Sequence, residues 1–180
     1  MKLFKKHFWP EELGALIYEA LRMAVESDGA LSLEKFVQSI VTAGVPENGQ
    51  YEGEVMVGLM FAARMAIDRS TTQAIGESIA LGITAEFRRH ILEQGATKAQ
   101  TGEWEMILTT RFQSYHRMIE ADTSFEPPWK LGRAFFWNVT GNESYDAMAI
   151  KASTLYLMAA EDLSQNLLNE YGPTLRKPWE

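Results

Sequence analysis

Residues 55–67 read VMVGLMFAARMAI, the longest apolar run of the chain, and Arg64 is the charged side chain within it. The run has 13 residues, whereas a helix that crosses a bilayer needs about 20 apolar residues. A helix that is apolar nearly all round and too short to cross a membrane is typical of the centre of a bundle. We therefore expect residues 50–69 to form a central helix that other helices surround.

The rest of the chain favours an all-α fold. Apolar residues recur at intervals of three and four, and the alternation typical of strands is nearly absent. We predict one domain over residues 1–180, a bundle of about seven or eight helices with a long C-terminal helix near 144–171. Residues 1–9 are expected to form an N-terminal strap on the bundle, and residues 173–180 a mobile tail.

Caps and glycines set the expected helix boundaries. Pro10 suits the first turn of a helix, and Gly95 suits the end of one. Gly76 and Gly82 are expected to interrupt the helical pattern, with Thr84 as the N-cap of a separate helix after them. The predicted helices cover residues 10–27, 32–43, 50–69, 71–81, 84–94, 102–121, 129–138 and 144–171.

The composition narrows the classes of function. The net charge of −7 repels nucleic-acid phosphates, and no long run of lysine or arginine offsets it, so nucleic-acid binding is disfavoured. Cysteine is absent, which excludes disulfides, thiol catalysis and thiolate zinc sites and makes a cytoplasmic location the more natural one. Lysines alternate with apolar and aromatic residues within 1–9, so a weak peripheral membrane contact is an alternative to the strap.

Catalytic signatures are missing from the sequence. The chain has no phosphate-binding loop, no dinucleotide glycine fingerprint, no His-Glu-x-x-His and no Gly-x-Ser-x-Gly. We therefore name no cofactor and lean against an enzyme.

Residues 27–36, SDGALSLEKF, predict a corner between two helices. Asp28 and Gly29 end the first helix, Ser32 caps the second, and Glu34 lies near its positive N-terminal end. An EF-hand calcium loop is excluded, because a loop with Gly29 at its sixth position would end on Lys35 rather than on a glutamate.

The same stretch, Asp28 to Glu34, resembles the Asp-Gly-x-Ile/Leu-Ser-x-Glu signature of TerB-like domains, which are all-helical modules linked to tellurite resistance and stress. The resemblance covers residues 23–40 and implies metal or ion contacts by Asp28 and Glu34. The second acidic stretch of such a domain is not matched, since residues 122–126 contain no glycine and lead into two prolines. An ordinary helix corner with a serine cap also explains these residues.

Two histidine–glutamate pairs carry a second metal hypothesis. Glu86 and His90 are four residues apart, as are His116 and Glu120, so the members of each pair share one helix face. Two such helices could together present nitrogen and oxygen ligands to a transition metal. The alternative is that these glutamates form exposed ion pairs with nearby arginines such as Arg89.

An aromatic segment near the C-terminal third predicts an interface. Trp129, Arg133 and Trp137 recur at intervals of four, and Phe136 lies beside them in the sequence. Arginine between tryptophans suits cation–π contacts, and both residue types are typical of interface hot spots. The alternative is that the tryptophans simply cover one end of the bundle.

Arg64 interrupts an apolar helix and should therefore be paired if it is buried. Asp68 lies one turn later and is the expected partner, with Glu54 at the other end of the run. A structural ion pair is the simpler interpretation. A pocket that encloses Arg64 together with a histidine would favour an enzyme.

These patterns predict a helical binding domain that acts through the aromatic surface around residues 129–137 and associates with a protein partner or with itself. The net negative charge favours a basic partner. One alternative is a TerB-like or other metal-linked stress protein. A further alternative is an enzyme with a small polar site around Arg64 and the two histidine–glutamate pairs.

Overall fold

The computed structural model describes residues 8–43, 51–121, 127–141 and 147–175. Within these ranges the chain forms seven α-helices and no sheet, which confirms the all-α prediction. The helices are α1 (Pro10–Glu26), α2 (Leu33–Thr42), α3 (Tyr51–Ser70), α4 (Gln73–Glu93), α5 (Lys98–Ala121), α6 (Pro127–Thr140) and α7 (Ala147–Tyr171), and a short 3-10 turn (Gly172–Thr174) follows α7.

Helix α3 is the centre of the bundle, as its apolar run predicts. It packs against each of the other six described helices, most extensively against α7. From Val55 to Ala63 every residue of α3 is buried, including Phe61 at 0% exposure. Gly58 leaves room for the ring of Phe135 from α6. The burial of α3 on all sides removes its apolar surface from water, which is the main favourable term in folding.

The corner between α1 and α2 is built as the sequence indicates. The Ser32 hydroxyl accepts a hydrogen bond from the backbone N–H of Lys35 at 3.4 Å, and the N–H of Ser32 donates to the carbonyl of Gly29 at 3.3 Å. At the end of α1, the Ser27 hydroxyl donates to the carbonyl of Ala24 at 2.8 Å. The cap and the turn therefore satisfy backbone groups that the two helix ends leave open.

The predicted break in α4 is wrong. Helix α4 runs without interruption from Gln73 to Glu93. Thr84 is not a cap, because its hydroxyl donates to the carbonyl of Ala80 within the helix, at 3.0 Å. Gly82 is buried against the backbone of Glu11 in α1. Gly82 therefore permits a close approach between two helices and does not end one.

Helix α5 begins earlier than the sequence prediction, at Lys98 rather than near residue 102. Thr97 and Gln100 cap each other: the N–H of Thr97 donates to Oε1 of Gln100 at 2.8 Å, and the N–H of Gln100 donates to the Thr97 hydroxyl at 3.3 Å. This is a capping box with glutamine in the last position, a signal for the earlier start that the prediction did not include. Gly95, with φ of 92°, ends α4 as expected.

The first and last described residues of the chain contact each other. Phe8 forms a backbone bridge with Leu175, and its ring lies 5.1 Å from that of Tyr171 at the end of α7. Residues 1–7 and 176–180 lie outside the described residues, so most of the predicted strap and tail is not described. None of the described helices combines the length and the apolar character that crossing a membrane requires.

Candidate functional site

Only some of the aromatic side chains of helix α6 are exposed to solvent. Trp129 and Trp137 are each 37% exposed, whereas Phe136 is 3% exposed and packs in the core. The expectation that Phe136 belongs to an interface is therefore wrong, because consecutive helical residues point in different directions and Phe136 lies on the core side. Arg133, which lies between the two tryptophans in the sequence, is partly buried. Trp129, Arg133 and Trp137 remain as an aromatic surface, which we call the Trp face.

The Asp28 carboxylate is occupied by a lysine. Lys35 Nζ lies 2.8 Å from Oδ1 of Asp28 and also donates to its backbone carbonyl at 2.7 Å. The hydrogen bond from Lys35 holds the pKa of the Asp28 carboxyl below its ordinary value. Glu34 is exposed in the first turn of α2. A cation at Asp28 would compete with Lys35, and the corner needs no ion to account for its residues.

The two histidine–glutamate pairs are not gathered into one site. Glu86 is bound by Arg89, whose hydrogen bond lowers the pKa of the Glu86 carboxyl. His90 lies beside Gln94, with 3.1 Å between the His90 Nε2 and Gln94 Nε2 atoms. On α5, Glu120 is exposed. No three histidine or acidic side chains of the described residues are placed where they could hold a metal ion.

The predicted pair of Arg64 and Asp68 is present but not buried. Nε of Arg64 lies 2.9 Å from Oδ1 of Asp68, and the two side chains are 28% and 46% exposed. The largely buried helix α3 can carry this pair because the pair lies where α3 borders an open cleft. At the edge of a cleft, a charged pair retains much of its hydration and avoids the full cost of burial.

This cleft, the Arg64 cleft, lies between α3, α4 and α5 and has a volume of about 520 Å³. It brings Arg64 together with His116, a residue of the metal hypothesis, while His90 is not among the lining side chains. The polar lining residues are Arg64, Asp68, Glu77, Thr84 and His116. The apolar ones are Met60, Ala80, Leu81, Ile83 and Phe112.

A larger groove, the α2–α7 groove, lies between α2 and α7 and was not foreseen from the sequence. Its volume is about 1060 Å³. Phe36 of α2 and Tyr156 of α7 stack beneath it with ring centroids 4.5 Å apart. The Tyr156 hydroxyl donates to the carbonyl of Leu31 at 2.7 Å, and burial raises the pKa of this phenol. The stacked rings join α2 to α7 and form the floor of the groove.

The walls of the α2–α7 groove are chemically unequal. The α7 side presents an apolar stripe whose members recur at helical spacing, and Leu155 within it is 55% exposed. The α2 side presents polar residues, among them Gln38, Ser39 and Thr42. The lining contains two lysines, Lys35 and Lys151, and no acidic side chain. The stripe on α7 consists of Met148, Ala152, Leu155 and Ala159.

A polar cluster joins α3, α5 and α6. Nε of Arg111 donates to Oε1 and Oε2 of Glu54 at 2.8 and 3.1 Å, and Nη1 donates to Oδ1 of Asn138 at 3.3 Å. Tyr115, one turn after Arg111, is fully buried, and burial raises the pKa of its hydroxyl. Glu54 thus pairs with α5 and not with Arg64. Glu54, Arg111 and Asn138 therefore have a structural role, because their hydrogen bonds connect three helices.

Comparison of this chain with models of protein families, with curated proteins and with solved structures found no match. The site must therefore be interpreted from its own geometry. The sequence located Arg64, Asp68 and His116 but not the cleft that unites them, and it gave no signal for the α2–α7 groove beyond the small and apolar residues of the last helix.

Proposed function

We propose that this protein is a binding domain and that the α2–α7 groove receives an amphipathic helix of a partner protein that carries acidic residues. The observation that carries the proposal is the exposed apolar stripe on α7, which borders the α2–α7 groove. Leu155 in this stripe is 55% exposed, although the opposite face of α7 is packed in the core. A helix with two apolar faces normally has a neighbour on each of them.

The dimensions of the groove suit a helix. The stripe runs from Met148 to Ala159, and at 1.5 Å per residue it is about 16 Å long, or about three helical turns. A partner helix would place apolar residues at i, i+3 or i+4, and i+7 on this stripe. Its opposite face would remain in water, which an open groove between two helices allows. A small apolar ligand would leave much of its surface exposed in the same place.

The charge of the groove selects an acidic partner. Asp28 neutralises Lys35, while Lys151 forms no ion pair within the described residues. No acidic side chain lines the groove, although the chain as a whole carries a net charge of −7. The groove is therefore a local exception to the overall charge, and the basic partner that the composition favours would have to bind elsewhere. An acidic helix would gain mainly in specificity and in association rate.

A designed peptide tests the proposal. The probe is a helical peptide of about 16 residues, with leucines at i, i+3 and i+7 and glutamates flanking them, labelled for fluorescence anisotropy. The control peptide has the same composition with the leucine order scrambled. We expect the patterned peptide to bind and the scrambled peptide not to bind. Equal binding of both peptides, or binding of neither, would count against the groove as a helix site.

Two matched variants locate the binding. Leu155→Gln removes an apolar side chain from the groove, and Met106→Gln removes one that is 66% exposed on α5, away from the groove. We expect Leu155→Gln to weaken peptide binding about tenfold or more and Met106→Gln to leave it unchanged. Lys151→Glu should also weaken binding, and the loss should shrink at high salt. An equal effect of the two glutamine variants would show that the groove is not the site.

Self-association through the Trp face is a second proposal, favoured by two tryptophans that are each 37% exposed and eight residues apart on one helix. Light scattering after size exclusion tests it with wild type and Trp137→Ala. We expect an oligomer for the wild type and a smaller species for the variant. A monomer in both samples at about 100 μM protein would contradict self-association by this surface.

The compartment is likewise a proposal. The absence of cysteine is compatible with a reducing environment such as the cytoplasm, and a binding domain without thiols would work there without change.

A further inference from the structure

Within the Arg64 cleft, Arg64 pairs with Asp68, while Glu77 forms no ion pair among the described residues. Arg64 comes from α3, Glu77 from α4 and His116 from α5. Arg64 and Glu77 do not form an ion pair, and neither do Glu77 and His116, among the described residues. Three helices thus present a cation, a carboxylate and an imidazole to one concavity of about 520 Å³.

Arg64 has N–H groups that no acceptor of the described residues occupies. Its Nε donates to Asp68, at 3.0 Å to Oδ2, so Asp68 fixes the plane of the guanidinium group. Its two η nitrogens have no hydrogen-bond partner within the described part of the chain. A guanidinium held in this way presents a fork of N–H groups that matches the two oxygens of a carboxylate.

Glu77 is the complementary group. Its Oε1 accepts a hydrogen bond from Nε2 of Gln73 at 2.9 Å, and no cation pairs with it among the described residues. An amide donor does not cancel the negative charge of a carboxylate. The Glu77 carboxylate therefore remains available to an ammonium group, which forms charge-assisted hydrogen bonds with carboxylates.

The rest of the cleft is apolar. Leu81 is 65% exposed at its rim, and Phe112 lines it from α5, with its ring 5.2 Å from that of Phe61. Ile83 is buried at 4% exposure. These side chains would cover an apolar side chain of a ligand whose two charged groups lie on Arg64 and Glu77.

We propose that the Arg64 cleft binds an apolar α-amino acid as a zwitterion, with the carboxylate on Arg64, the ammonium group on Glu77 and the side chain against Leu81 and Phe112. A simple anion would be repelled by Glu77 and Asp68, and a simple cation would leave the η nitrogens of Arg64 without an acceptor. A ligand with both charges satisfies both residues at once. This site is separate from the α2–α7 groove and does not depend on it.

The probe is L-phenylalanine, titrated to about 20 mM into the isotope-labelled full chain and followed by NMR. Two analogues each remove one charge: 3-phenylpropionate lacks the ammonium group, and phenethylamine lacks the carboxylate. We expect saturable shifts in the backbone signals of Arg64, Thr84 and His116 with L-phenylalanine, and at least about tenfold weaker binding of each analogue. Equal binding of an analogue, shifts confined to the α2–α7 groove, or no saturable shift would overturn the proposal.

Two glutamine variants sharpen the test. Glu77→Gln keeps the shape of an exposed side chain, and Glu103→Gln changes the same charge at an exposed position of α5 outside the cleft. We expect Glu77→Gln to weaken L-phenylalanine about tenfold and to leave 3-phenylpropionate unchanged or tighter, because the repelling charge is gone. Glu103→Gln should change neither ligand. If Glu77→Gln leaves L-phenylalanine binding unchanged, or weakens both ligands equally, the assigned role of Glu77 is wrong.

Discussion

Two helix pairs in this molecule, α1 with α4 and α2 with α7, are packed through different kinds of residue. Between α1 and α4, glycines bring the backbones together: a methyl group on Gly14 would overlap the carbonyl oxygen of Ile79 and lie 2.9 Å from Cα of Gly82. Between α2 and α7, the contact is made by the stacked rings of Phe36 and Tyr156, which form the floor of the groove. The distance between packed helices depends on the side chains at the contact. Glycine at one contact gives a sealed interface, and aromatic rings at the other leave a groove.

The sealed pair is the more sensitive to added volume. In Gly82→Ala the new methyl group would overlap the carbonyl oxygen of Glu11 and lie 2.8 Å from its carbonyl carbon. Backbone atoms cannot rotate away as a flexible side chain can. We expect a net loss of about 2 kcal/mol in the free energy of unfolding, even after the gain in helix propensity, measured by urea denaturation. The melting temperature should fall by about 4–8 °C.

Gly102→Ala is the matched control, because Gly102 lies in α5 and no atom is found within 4 Å of an added methyl group. We expect this variant to gain about 0.5–1 kcal/mol from helix propensity and reduced entropy of the unfolded chain. If Gly82→Ala behaved like the control, the close contact of α1 with α4 would not be what closes this interface.

The variant Tyr156→Phe tests how much the Tyr156 hydroxyl, at the floor of the α2–α7 groove, contributes to stability at neutral pH and in alkali. Tyr156→Phe keeps the stacked ring but loses the hydrogen bond to Leu31, so we expect it to be less stable than wild type by about 1 kcal/mol at pH 7. Burial raises the pKa of Tyr156 in the folded protein. The unfolded chain therefore loses this proton first, above about pH 10, and the stability due to the phenol falls as pH rises.

The hydrogen bond to Leu31 stabilises the wild type relative to Tyr156→Phe at pH 7, whereas the raised pKa of the phenol destabilises the wild type in alkali. The difference in the free energy of unfolding between the two proteins should therefore change with pH. From pH 9 to pH 11 the wild type should lose about 1.4 kcal/mol more than the variant, which has no phenol at this position. Urea denaturation across this range should show the two curves meeting near pH 11. A constant difference between the curves would mean that the buried phenol ionises in the folded state as readily as in the unfolded chain.

The smallest effect is expected from the charges across the sealed pair. Arg89 of α4 contacts Glu86 and Glu93 on its own helix and Glu19 of α1 at 3.3 Å. Arg89 is 52% exposed in all three pairs, so water screens them, although Glu86 is 16% exposed. We expect Arg89→Gln to change the melting temperature by less than Gly102→Ala does, and the change to vanish in high salt. A loss as large as that of Gly82→Ala would make charge, and not glycine, the main cause of closure.

Features that depend on neighbours along the chain could be predicted from the sequence. The Ser32 cap, the end of α4 at Gly95 and the contact of Arg64 with Asp68 each involve residues within about one turn of each other, and all are present. The break predicted at Gly82 was wrong because glycine can either end a helix or let another helix pack closely against it. At Gly82 it does the second, since Glu11 of α1, 71 positions earlier in the sequence, packs against it.

The sequence by itself determined the class of the fold, because periodic apolar residues specify helices and a run that is apolar on all sides specifies the central one. It also determined the corner at Asp28 and Gly29. Only the tertiary structure decided which surfaces stay open. The burial of Phe136, the exposure of Leu155 and the meeting of Arg64 with His116 depend on how far apart separate helices lie, which the side chains at each contact set together.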